Sequence, residues 1–105
     1  MIEENGELYG GLEWGGKVHK AFTLRPIKVI DTVTATEKCG EKRNLDFELE
    51  LLACQIVTLG EIPKEAINAE LLKQLYDADL GRLQEAREAV EKKLKPRSED
   101  SATSA

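Results

Sequence analysis

The chain has 105 residues, 20 acidic and 15 basic, for a formal net charge of −5, and only two cysteines. That length predicts one domain burying a little under about 70% of its unfolded surface, enough for a modest core without staples. The acidic balance argues against a nucleic-acid binder that depends on phosphate contacts. No window approaches the ~20 apolar residues of a membrane span, and the acidic opening Met-Ile-Glu-Glu-Asn-Gly-Glu lacks the apolar core of a secretory signal. Cys39 and Cys54, without C-x-x-C spacing, read as reduced thiols, so the expectation is a soluble cytoplasmic domain.

The first predicted element is a β-hairpin over residues 7–25. Leu8, Gly10, Leu12 and Trp14 alternate with Tyr9, Gly11 and Glu13, and Val18, Lys20, Phe22 and Leu24 alternate with their neighbours beyond Gly15-Gly16. Period-2 alternation on both sides of a Gly-Gly pair signals a tight turn, because glycine reaches the positive φ it needs. Pro26 cannot donate a ladder hydrogen bond and should end the second strand. Glu3, Glu4, Glu7 and Glu13 precede any base, whereas Lys17, Lys20, Arg25 and Lys28 follow with no acid before Asp31. Opposed across the hairpin, such charges would favour the register by about 0.2–1 kcal/mol per pair. Asp31 is placed to cap a helix over residues 32–38.

A polar break at residues 40–44 precedes the predicted core. Leu45, Leu49, Leu52, Ile56 and Leu59 recur at steps of four and three, a helical stripe that Phe47, Leu51 and Cys54 widen. The first half also alternates like a strand, but Leu and Glu are good helix formers and the run exceeds a typical strand, so a helix over 45–59 is expected. Asn44 is its N-cap and Gly60 its end. Pro63 marks a turn, and Asn68 caps a helix over 69–75. Tyr76-Asp77-Ala78-Asp79 interrupts, with Asp77 a cap for a long helix over 78–95. One continuous helix or two meeting at an angle both fit. Tyr76, Leu80, Leu83, Arg87, Val90 and Leu94 share one heptad-like seam. Pro96 stops the helix, and residues 96–105, without a large apolar side chain, are expected to be a disordered polar tail outside a single domain of residues 1–95.

Catalytic chemistry finds little to work with. His19 is the lone histidine and reads as a surface residue. There is no zinc-type Cys/His spacing and no Walker loop. Gly15-Gly16-Lys17 lies between strands rather than opening a helix, which removes the dipole a phosphate loop uses. Asp77 and Asp79 read as cap and surface groups rather than metal ligands. Trp14 and Tyr9 read as anchors of the sheet on the helices. The expectation is a non-enzyme with no catalytic, cofactor-binding or metal-ligating residues.

Gly15-Gly16-Lys17, Thr23-Leu24-Arg25-Pro26 and Asp31, in that order, resemble the opening of the small tail assembly chaperones of Mu-like and P2-like phages. Residues 44–59, with their Leu-Gly ending, resemble that family's apolar central helix. Leu75-Tyr76-Asp77-Ala78-Asp79-Leu80-Gly81-Arg82-Leu83 resembles its terminal segment. The resemblance implies a non-catalytic chaperone that coats the helical tape-measure protein and keeps it soluble in the host cytoplasm until tail-tube subunits polymerise around it. It also implies, as a further partner, a longer frameshifted form of the chain. No nucleic acid or membrane is implied. The competing expectation is a structural or interaction protein without chaperone activity, such as a minor tail component or small regulatory subunit, and neighbouring genes would separate the two.

The predicted fold is α+β, an N-terminal two-stranded antiparallel hairpin packed on three to four helices. Trp14, Phe22 and Leu24 should press on the central helix, because a lone hairpin is marginal in water. The predicted partner surface is the seam Tyr76, Leu80, Leu83, Arg87, Val90 and Leu94, since a charge such as Arg87 in mid-seam suits a surface groove better than a dry core.

Overall fold

A computed structural model describes residues 1–95; the expected polar tail lies outside the described residues. Two long strands, β1 (Glu4–Trp14) and β2 (Lys17–Leu24), form the hairpin. Gly15 and Gly16 make its turn at φ 62° and 80°, the left-handed pair that a two-residue connection between twisted strands requires. The expected cross-strand charge pairs do not form. Glu4 stands opposite Leu24, Glu7 opposite Ala21 and Glu13 opposite Val18. Glu4 pairs with Lys93 at 2.7 Å and Lys17 with Glu61 at 3.4 Å, so the charges tie the hairpin to other elements rather than strand to strand.

Helix α1 spans Val29–Cys39, three residues earlier than expected. Asp31 is not its N-cap. It lies inside the first turn and reaches back to accept the Lys28 N–H at 2.8 Å, the way an acidic residue closes a capping box. The predicted central helix divides. Helix α2 is Leu45–Gln55, capped by Asn44, whose side chain accepts the Phe47 N–H. Ile56–Leu59 is a strand, β3, antiparallel to β2 in a three-stranded sheet of order β1-β2-β3. The predicted hairpin therefore gains a third strand. Ile56 and Leu59 happen to continue the four-three helical spacing, but β-branched Ile-Val-Thr suits an extended chain, and the outer edge of β2 needs a partner for its backbone. Lys64 helps end α2, donating its ammonium to the Ala53 and Ile56 carbonyls that the helix leaves free.

The remaining helices are α3 (Ala69–Leu72), capped by Asn68 as predicted though three residues shorter, and α4 (Asp77–Leu94). The chain between them is not helical, so two helices meet here rather than one running through. The class is α+β: α4 packs on β1 and β2, α2 adjoins β3, and α1 and α3 pack chiefly on α2. Hairpin residues Leu12, Phe22 and Leu24 join Leu52 of α2, Ile56 of β3 and Leu83 of α4 in the main core. Phe47 and Leu51 of α2 pack with Ala35 of α1 in a smaller second cluster. Trp14 does not anchor the sheet. It is 37% exposed, with its ring edge-on to His19 at 6.5 Å, and Tyr9 is also exposed. His19, expected at the surface, is buried: Nδ1 accepts the Glu61 N–H at 3.2 Å, which leaves Nε2 to donate to the Trp14 carbonyl at 3.0 Å. No helix among the described residues is long and apolar enough to cross a membrane.

Candidate functional site

The residues that carried the sequence motifs are taken up in holding the fold together. Arg25 sits at the end of β2, and its guanidinium meets the Asp31 carboxylate in a two-point ion pair, 2.7 and 2.9 Å. The same guanidinium donates to the Pro26 and Cys54 carbonyls. The Gln55 amide donates to the Arg25 carbonyl, and the Arg25 N–H to the Gln55 carbonyl. One arginine thus fastens β2, the start of α1 and the end of α2. Burial works against ionising Asp31, but the Arg25 hydrogen bonds, the Lys28 N–H and the nearby charges of Arg25 and Lys64 outweigh it and hold the carboxyl below its usual range. The Asp31 hydrogen bond raises Arg25 correspondingly against its own burial.

Asp79 is the second internal tie, and it corrects the expectation of a surface carboxylate. It is fully buried in the first turn of α4. Its oxygens accept three successive backbone N–H groups of β1: Tyr9 at 2.6 Å, Gly10 at 3.1 and 3.2 Å, and Gly11 at 2.9 Å. Here β1 bulges, with residues Leu8 to Gly11 opposite the single Lys20 of β2, and Gly11 takes φ 85°. Converging N–H groups of this kind form an anion nest. In this chain the anion is the protein's own side chain, so the glycine pair serves a helix–sheet joint. Asp77, the expected cap, is instead the first residue of α4, after Tyr76 at the N-cap.

The predicted partner seam on α4 is split by the fold. Leu83 and Val90 are fully buried in this chain's own interior. Arg87 is half-buried and ion-paired with Glu48 of α2, so a mid-seam charge is accommodated inside the domain and does not mark a surface groove. Tyr76, 68% exposed, and Leu80 line an open groove of about 210 Å³ whose other walls are Leu45 and Leu49 of α2 with Leu72 and Leu75. Leu94 is exposed at the far end of α4, where Lys93 reaches the Glu3 carbonyl and Glu91 accepts the Ile27 N–H.

Sequence reasoning missed a second apolar surface. Val29, Ile30 and Val33, at positions i, i+1 and i+4 of α1, are all exposed, Val29 at 82% and Ile30 at 61%. The available signal was the i, i+1, i+4 spacing, which was obscured by starting the helix at residue 32. A neighbouring cleft of about 340 Å³ between α1, α2 and α3 is polar, and its charges close on one another, Lys38 with Glu50 and Lys73 with Asp46 and Glu70. Among the described residues no group of three or more His, Cys, Asp or Glu side chains is arranged to hold a metal ion. No family model, curated protein or solved structure matches the chain.

Proposed function

We propose that this protein is a phage or prophage tail assembly chaperone, which binds the tape-measure protein in the bacterial cytoplasm and keeps it soluble during tail morphogenesis. The observation that carries the reading is the outward-facing strip Val29, Ile30 and Val33 on the helix that Arg25 and Asp31 brace from beneath. The Leu24-Arg25-Pro26 and Asp31 motif behind the family resemblance is thus the mount of an exposed apolar face. Three β-branched side chains on an exposed helix face lower helix propensity and leave apolar surface in water, so packing within this chain does not account for them. A long amphipathic helix has the complementary need: its apolar stripe aggregates unless covered. The net charge of −5 keeps such a complex dispersed.

The test is co-expression of the chain with its genomically neighbouring tape-measure protein, comparing wild type with Val29→Ser/Ile30→Ser. The wild type should keep the tape-measure protein in the soluble fraction and co-purify with it. The double variant should lose both while its circular dichroism is unchanged, because both residues are exposed. A tape-measure protein that precipitates equally with and without the wild-type chain refutes the reading.

A further inference from the structure

We infer that a second copy of this chain covers the strip Val29, Ile30 and Val33, two α1 helices packing antiparallel about a two-fold axis, so that the free protein forms a weak homodimer. The inference rests on the chaperone reading only for what displaces that second copy. Along α1 the exposed stripe runs from Val29 through Val33 to Glu37 at steps of four, with Ile30 beside it, and all four side chains face solvent. Thr34 and Thr36 flank the stripe and carry no charge, so a second helix can lie closely along it.

The charges at the two ends of α1 select a reversed copy of the same helix. Lys28 is its N-cap and Glu37 lies in its last turn; both are exposed, and neither forms an ion pair among the described residues. Each stands at the end of the helix dipole that disfavours its sign, so the stability of α1 does not account for them. Charged neighbours are occupied elsewhere: Glu91 accepts the Ile27 N–H at 2.8 Å, Asp31 pairs with Arg25, and Lys38 pairs with Glu50 at 3.6 Å. Two copies of α1 crossing antiparallel at Val33 bring Glu37 of one level with Val29 of the other, about 1.5 Å along the axis from Lys28. The two-fold axis makes that contact twice, as an isologous interface requires. A parallel copy would set like charges side by side. With 11 residues α1 is only about 16 Å long, and three apolar side chains per copy fall well short of the ~1,200–2,000 Å² that stable interfaces bury. The pair is therefore weak, with a Kd of about 0.1 mM, and yields the strip to a longer apolar helix.

Sedimentation equilibrium of the full chain between about 10 µM and about 1 mM tests this. The mass should rise from one chain toward two, and Val29→Ser/Ile30→Ser should hold it at one. Lys28→Glu and Glu37→Lys should each weaken association at least about threefold. An equimolar mixture of those two variants should associate as tightly as wild type, because each copy then supplies the charge the other lacks. Both substitutions suit the helix dipole, so neither acts by unfolding α1. A chain that stays monomeric at the highest concentration overturns the inference, as does a mass that climbs past two chains. Association that survives Val29→Ser/Ile30→Ser overturns it too, as does a mixture no tighter than either charge variant alone. The assay contains no tape-measure protein, so its failure removes the self-pairing and leaves the chaperone reading to its own co-expression test.

Discussion

Replacing Asp79 by alanine should be among the most damaging single changes in the chain, although it alters no apolar contact of the main core. The carboxylate is completely buried and is the shared acceptor for the N–H groups of Tyr9, Gly10 and Gly11. Tyr9 and Gly10 are exposed residues, so water can replace part of what they lose, whereas Gly11 is buried and its N–H would be orphaned. An unsatisfied buried donor costs about 1–3 kcal/mol, and hydrogen bonds to a charged group are worth about 1.5–3 kcal/mol each when intact. Discounting the two solvent-accessible donors, the loss should be about 3–5 kcal/mol, a large share of the 5–15 kcal/mol typical of a domain. Thermal unfolding should fall by roughly 15–20 °C. Asp79→Asn retains one acceptor oxygen but turns an amide group toward the remaining N–H groups, so it should cost clearly less. The local reporter is the amide proton spectrum, where Tyr9, Gly10 and Gly11 should all move upfield in the alanine variant. A melting point within a few degrees of wild type, with those three amides unmoved, would refute the reasoning.

Leu52 is fully buried where α2 meets the sheet, and Leu52→Ala should cost about 2–5 kcal/mol in chemical unfolding; a shift of a degree or two in the melt would mean the core lies elsewhere. Asp31 is depressed in the folded state, so its contribution is complete above the unfolded carboxylate value of about 3.9 and is lost as pH falls through its lower folded value. Asp31→Asn should therefore flatten the acid limb of a stability–pH profile, and an unchanged limb counts against the Arg25 pairing. Lys64→Met should cost about 1–3 kcal/mol by leaving the Ala53 and Ile56 carbonyls without their donor, and urea titration reads it directly. A cost near zero would show that water caps α2 equally well.

The sequence alone determined the elements whose causes are local. Gly15-Gly16 could be read as a tight turn because alternating runs flank it on both sides and glycine readily takes the two successive positive φ values such a turn needs. Asn44 and Asn68 could be read as caps because a short side-chain acceptor satisfies an N–H two or three residues on, whatever surrounds it. What the tertiary structure decided were choices between partners far apart in the chain. Ile56–Leu59 carries a spacing compatible with helix or strand, and the open edge of β2 settled it. Asp79 reads like any acidic residue in a first helical turn, but a bulge some seventy positions earlier supplied three N–H groups and drew it inside. The α4 stripe was legible as apolar, yet which of its residues face the domain depended on α2 and the sheet: Leu83 and Val90 went inward, Arg87 found Glu48, and Tyr76 and Leu80 stayed on an open groove. Periodicity reports that a face is apolar, whereas only the packed neighbours determine whether that face is covered.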